Sequence, residues 1–355
     1  MIYQIKPVIG SLAKKNIIKY IKSDNWITEY KNTILFEKKF AKFTNSKHCI
    51  SFPNGTLTMY AILKCLNLKK NSEVLVSNYT MVATANVVDM AGLKLKLVDI
   101  SEKDLCMCPA DLARKISKKT KAVIYTQMNG RVGQINKITQ ICKKKKIHLI
   151  EDSAHGIGSY NNNKHVGNAG IASSFSFSMP KLITMGQGGA IITNNTSFSK
   201  KLRLFKNFGR KKDGIDIHNY LGYNFKITDL QSILASSQLQ NIKERIRIKK
   251  LIFKRYFNNL KKNKRIIMIP MNSEETPWSV DIYVKNTSKV KRILEKKRIL
   301  TRYVYPPLNS QKIYKNFKGM PVSNNYCKNG LWLPSSLDIK IKEIDKICSI
   351  LNKYI

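Results

Sequence analysis

The chain has 355 residues, 64 Lys and Arg against 22 Asp and Glu, a formal net charge of +42 and a hydrophobic fraction of 43%. That length and composition suit one large and one smaller folded domain with a well-buried core. They exclude a bilayer-spanning helix, since no apolar run approaches the roughly 20 residues required. Seven cysteines (Cys49, Cys65, Cys106, Cys108, Cys142, Cys327 and Cys348) form no C-x-x-C pair, so neither a zinc or other metal site nor a disulfide framework is indicated. The N-terminal stretch lacks the apolar run and small-residue cleavage site of a secretory signal, and a cytoplasmic location is expected.

So large a positive charge raises the question of a nucleic-acid surface, because clustered Lys and Arg neutralise phosphates. Here the charge is mostly lysine and is spread over every predicted element. Its longest run, Lys143 to Lys146, closes a predicted helix, where cations suit the macrodipole. A solvated surface without a specific nucleic-acid or membrane partner is expected, although its field would still draw an anionic substrate.

In chain order, "HCISF" from His48 reads as a strand, "PNGT" as a turn and "LTMYAILKCLNL" as an amphipathic helix. The strand "EVLVS", the helix-like "TMVATANVVDMAG" and the strand "LKLKLVDI" follow. "KAVIYT" and "IHLIED" are strands separated by the helical "INKITQICKKKK", and "NNNK" at Asn161 to Lys164 reads as a hairpin tip. Alternating strands and helices predict βαβ units and a mainly parallel sheet, with ligands beyond the carboxyl ends of its strands. After about residue 226 this rhythm stops. The stretch 227–262 reads as one long helix leading to a smaller domain with the strand "WSVDIYVK" and the helices "SKVKRILEKKRIL" and "KIKEIDKICSILNKYI".

Three stretches carry candidate chemistry. Asn54-Gly55-Thr56 lies between a strand and a helix, where free N–H groups and a hydroxyl cradle a phosphate, though Asn-Gly is also a common plain turn. "IHLIED" delivers Glu151 and Asp152 to a strand end, with His155 three residues on; such a carboxylate either caps a loop or is held against a cationic ring. Lys181 stands between the β-like run containing Ser176 and the glycines Gly186, Gly188 and Gly189. It is a surface lysine before a turn, or the fixed amine that binds a carbonyl cofactor.

Together, in this order, these stretches resemble the pyridoxal-phosphate enzymes of the DegT/DnrJ/StrS family. Further blocks match along nearly the whole chain: "NWITEYKNTILFEKKFAKFTNSKHCISFPNGT", "VSNYTMVATANVVDMAGLKLKLVDI", "MNGRVGQINKI", "GYNFKITDLQSILASSQL", "TRYVYPPLNSQKIY" and "LWLPSSLD". The resemblance implies an α/β, aspartate-aminotransferase-like fold of type I. Its large cofactor-binding domain, in residues 1–235, has a mainly parallel sheet flanked by helices; a smaller α+β domain occupies 236–355. Pyridoxal 5'-phosphate is the implied cofactor. Lys181 would bind it covalently and shuttle protons, Asp152 would pair with its ring nitrogen, and His155 would sit near its phenolic oxygen. Gly55, Thr56 and Ser176 would hold its phosphate. Met81 would pack on its face where relatives often have an aromatic residue, with Tyr79 as the alternative. Asn224 would reach the neighbouring subunit's cofactor, implying a homodimer with shared sites.

The resemblance is nearest to perosamine-synthase-like members. The implied reaction moves an amino group from an amino acid, L-glutamate, to a 4-keto-6-deoxy nucleotide sugar, giving a 4-amino-4,6-dideoxy sugar for polysaccharides such as O-antigen. The alternatives are amination of a 3-keto sugar nucleotide, or a scaffold that has lost catalysis and binds nucleic acid or a partner. A branch of the family that dehydrates sugars carries histidine in place of the lysine, and Lys181 speaks against it.

Overall fold

A computed structural model describes residues 1–211 and 214–355. Its strands in the first two thirds of the chain are β1 (His48–Phe52), β2 (Glu73–Ser77), β3 (Lys94–Val98), β4 (Thr120–Thr126), β5 (His148–Asp152), the pair β6 (Tyr160–Asn161) and β7 (Lys164–His165), β8 (Ala172–Ser176) and β9 (Gly189–Thr193). All but β6 and β7 join one seven-stranded sheet, ordered β1-β9-β8-β5-β4-β2-β3. From β8 to β3 the neighbours run parallel, and β9 alone runs against both of its neighbours. Helices cover both faces, so β8 and β9 are buried at every residue and read as unbroken apolar or small-residue runs. The hairpin expected at Asn161 to Lys164 is present, turned by Asn162 and Asn163 in the left-handed conformation that asparagine tolerates.

The long helix expected over 227–262 is two helices, Asp229–Leu239 and Ile242–Leu260. Asn241 leaves helical geometry at φ −103°, ψ 20°. The break redirects the apolar face: Leu239 and Ile242 pack with Phe175, Phe177 and Ile183 of the large layer, whereas Ile252, Phe253, Tyr256 and Leu260 pack on a second sheet. That sheet is antiparallel, ordered β10 (Ile266–Ile267), β11 (Val280–Val284), β13 (Gly330–Leu333) and β12 (Arg302–Tyr303).

Two ties bind the second sheet to the rest. Arg131, from the loop after β4, makes two bonds of 2.8 and 2.9 Å to Asp281 of β11, with the arginine 1% and the aspartate 0% exposed. Tyr283 donates to the same carboxylate at 2.9 Å, and Arg131 also donates to the Ile269 carbonyl. The N-terminal strap returns as well: Ile2 bridges Ile299, and the Gln4 amide donates to Ser279. No helix among the described residues is long and apolar enough to cross a membrane.

Candidate active site

The sheet registers gather the candidate residues at one edge. Phe52 and Ser176, the last residues of β1 and β8, both pair with Gly189, the first of β9, and Asp152 pairs with Ser174 across β5 and β8. Just beyond β1 the helix Gly55–Cys65 begins, capped by the Asn54 side chain, which accepts from the Leu57 N–H at 2.9 Å. First-turn amides have no intrahelical acceptor, which leaves those of Gly55 and Thr56 facing the sheet edge. The approach is close. A Cβ on Gly55 would lie 3.0 Å from that of Ser176, and one on Gly189 would lie 2.7 Å from the Asn54 carbonyl carbon. Thr58 and Ser174, with hydroxyls 2.5 Å apart, lock the helix to β8, while Ser176 keeps its hydroxyl near Ser178 at 3.3 Å.

Alternation along β5 sends its two acids to opposite faces. Glu151 is structural: it accepts from the N–H groups of Gly167, Ala169 and Gly170 and from Gln127. Asp152 is 3% exposed, and its carboxylate takes two neutral donors, Thr84 at 2.7 Å and the Ala154 N–H at 3.2 Å. Burial pushes its pKa up; those hydrogen bonds and the charge of Lys181 oppose the rise.

Lys181 sits in the loop after β8, and its Nζ lies 4.8 Å from the centre of the Trp278 ring. Burial pulls its pKa from 10.5 down to about 8, with Asp152 acting against the change and Arg302 adding to it. The His155 ring lies flat on Trp278, centres 4.0 Å apart at 3°. Burial and the Lys181 charge hold its pKa well below the ordinary histidine value. The Asn129 N–H donates to its Nδ1 at 3.3 Å, which assigns the remaining ring proton to Nε2. Asn129, with φ 58°, also receives the N–H of Ser279 on its side chain and that of Trp278 on its carbonyl, and so sets ring against ring.

The structure therefore brings Gly55, Thr56, Asp152, His155, Ser176 and Lys181 to one end of the sheet. Met81 is exposed at the start of the helix Val82–Met90, three residues from the Thr84 that holds Asp152. Tyr79 is corrected: it is wholly buried beside Tyr283 and Cys327, in the core between the two sheets, and presents no face to the site. Asn224 is exposed, in a segment bridged to Asn207. Sequence reasoning did not single out Thr84, Asn129, Trp278, Arg302 or Tyr305. Thr84, Asn129, Arg302 and Tyr305 lie within the family-like blocks quoted above, but nothing there marks them individually; Trp278 and Arg302 come near Lys181, and Tyr305 near His155, only through the tertiary fold.

The sequence pattern of the DegT/DnrJ/EryC1/StrS aminotransferase family matches residues 8–352. The chain belongs to this family. It is 29% identical to GDP-perosamine synthase of Vibrio cholerae over 328 residues, 90% of this chain and 89% of that protein. Among solved structures it superimposes on Helicobacter pylori PseC, an aminotransferase of pseudoaminic acid biosynthesis, with TM-score 0.94 at 24% identity, over 99% of this chain and 98% of that one. It also superimposes on the E. coli GDP-4-keto-6-deoxy-D-mannose-3-dehydratase, with TM-score 0.92 at 20% identity, over 99% of both chains. The shared fold thus serves both transfer and dehydration, and the family's cofactor is pyridoxal 5'-phosphate. The site fits that group. A buried carboxylate with only neutral donors is matched by a cationic ring, and the glycine-lined helix start beside Ser176 is matched by a phosphate.

Proposed function

We propose that this enzyme transfers the amino group of L-glutamate to carbon 4 of a 4-keto-6-deoxy sugar nucleotide. The observation that carries the reading is the placement of Lys181, partly buried and tuned to about 8, within the field of Asp152 at the same sheet edge as the helix start of Gly55. The relatives named GDP-perosamine synthase, at 27–29% identity, support carbon 4, and a lysine at position 181 supports transfer over dehydration.

Pyridoxal phosphate, when bound, supplies an electron sink for breaking a C–H bond beside nitrogen. Gly55, Thr56 and Ser176 hold its phosphate with amide and hydroxyl donors, Asp152 keeps its ring nitrogen protonated, and Met81 packs on its face. His155, neutral and with its proton on Nε2, donates to an oxygen at the ring. An amine tuned to about 8 holds roughly a tenth of its molecules as free base at pH 7, where an ordinary lysine holds under about one in a thousand, so Lys181 takes a proton at Nζ from the donor's α-carbon. It then delivers a proton to carbon 4 of the sugar.

The reading includes a homodimer. Trp26 (66% exposed), Ile27, Tyr30, Ile34 and Leu35 are exposed apolar residues of one segment, and Ile217, Tyr220 and Leu221 (75% exposed) of another. The first segment is tied to the helix that starts at Asp229, which accepts from the N–H groups of Tyr30, Asn32 and Thr33, and Thr28 bridges Thr228. Exposed apolar surface of this kind is covered by a partner, and Asn224 lies close to it in the chain.

The test is incubation of the cofactor-loaded protein and L-glutamate with 4-keto and 3-keto sugar nucleotides, followed by mass analysis. Amino product from a 4-keto substrate, with borohydride fixing the cofactor on Lys181, is expected. Product from 3-keto substrates alone removes the carbon-4 assignment, and a label on another lysine removes the role of Lys181.

A further inference from the structure

Arg302 opens β12 and is exposed, yet it is not a loose surface side chain. Its guanidinium lies 5.7 Å from the centre of the Tyr305 ring and 5.5 Å from that of Trp332. These rings meet edge to face at 4.7 Å, and Trp332 meets Trp278 in the same way at 5.1 Å. Trp278 in turn carries His155 and lies under Lys181. A continuous chain of ring contacts, through the buried Trp332 and Trp278, therefore runs from the exposed arginine to the candidate reactive amine. The guanidinium is close enough for its charge to bear on Lys181.

The chain does not use this cation itself. Arg131, Arg203 and Arg255 each hold a carboxylate. Among the described residues no hydrogen bond or ion pair holds the Arg302 guanidinium, which has only its two ring contacts. A guanidinium seated on aromatic faces keeps its N–H fork free at the edge, the geometry that takes a carboxylate or phosphate through two parallel bonds. Glutamate carries carboxylates and a sugar nucleotide carries a diphosphate, so both substrates bring the matching group.

We propose that Arg302, on its shelf of Tyr305 and Trp332, is the receptor for an oxyanion of the substrate, either a carboxylate of the amino donor or the diphosphate of the sugar nucleotide. This deepens the aminotransferase reading above and rests on it. The two rings, set at right angles, hold the guanidinium in one place, and Trp278 leads from Trp332 to Lys181. Arg302 thus selects for substrates whose anionic group and reacting carbon are set at the matching span.

The test uses the holoenzyme, with Arg302→Met and Arg302→Lys. KM is measured separately for L-glutamate and for the 4-keto sugar nucleotide, and calorimetric titration gives the affinities of succinate and of guanosine diphosphate. A charge-assisted bond lost from a substrate corresponds to about tenfold to a hundredfold in affinity. Arg302→Met should raise one KM and weaken its matching probe by such a factor, with a smaller change in kcat and an intermediate effect from Arg302→Lys. A change confined to glutamate and succinate assigns the carboxylate; one confined to the sugar nucleotide and guanosine diphosphate assigns the diphosphate. Wild-type affinity of Arg302→Met for both probes overturns the proposal. So does a loss of kcat with both KM values unchanged, or an equal rise in both, since either would mean that Arg302 only supports the rings. Wild-type protein without aminotransfer refutes the aminotransferase reading instead, and the two titrations still judge Arg302.

Discussion

Asp152 and Lys181 are moved in opposite directions by the same cause. Burial raises the pKa of the acid and lowers that of the amine, because each loses hydration in its charged form. For Lys181 this is useful without a partner, since a neutral amine is the reactive form. For Asp152 it is a cost in the bare protein. Asp152→Asn should therefore lower turnover by several orders of magnitude, because each pKa unit lost from the paired ring nitrogen is worth about 1.4 kcal/mol, or roughly tenfold in rate. Stability should move the other way. A carboxylate whose folded pKa is raised above its unfolded value destabilises the fold as pH rises through that range, so the cofactor-free Asn variant should melt above wild type at pH 7. The difference should shrink as pH falls through the carboxylate range. Near-normal turnover in the Asn variant would count against the pairing, and equal melting at pH 7 against the burial cost.

At the scale of elements, the loop after β4 and strand β11 are joined by the fully buried Arg131–Asp281 pair. Such a pair adds little over a well-packed apolar one, but removing one partner strands a charge. Asp281→Asn should cost about 3–5 kcal/mol in denaturant unfolding, and the double change Arg131→Met, Asp281→Leu should recover most of it. A small loss in the single variant would mean that water reaches Arg131. The elements also mark the limit of sequence reading. "EVLVS" and "IHLIED" announced their strands because buried parallel strands need dense apolar runs, "HCISF" did so although it is the antiparallel end strand because it too is mostly buried, and the Asn-Gly turn and strand-end Asp152 stood where such sheets place ligands. The break at Asn241 was hidden, since neither Gly nor Pro marks it and the apolar period continues while the surface it meets changes. Trp278, Tyr305 and Arg302 were hidden for another reason: stacking partners are chosen by how two sheets meet, which no local pattern records.

For the whole molecule, the dimer reading makes Asn224 serve the other subunit's site. Mixing inactive Lys181→Ala with inactive Asn224→Ala subunits should restore part of the activity, since each mixed dimer has one site without either defect. No rescue despite proven subunit exchange would refute sharing. The charge of +42 is a property of the whole surface rather than of one patch. DNA binding is expected to be unselective and to fall by roughly 10³–10⁵ between 50 and 200 mM salt if 6–10 phosphates are contacted. Sequence-selective binding that survives about 150 mM salt, checked with competitor DNA, would show a built interface.

The stacking of His155 on Trp278 also sets an order in time. During synthesis, β5 and the helix start at Gly55 leave the ribosome long before Trp278, Arg302 and Tyr305 do. At about 5–20 residues per second, the half-made chain spends seconds with Lys181 and Asp152 formed but without the aromatic surface beside them. The strap at residues 2–4 waits longer than β5 does, because its partners Ser279 and Ile299 follow it by some 275 residues or more. A nascent chain is thus kept from presenting a complete site, and the stretch from Trp278 to Tyr305 decides when the enzyme comes into being.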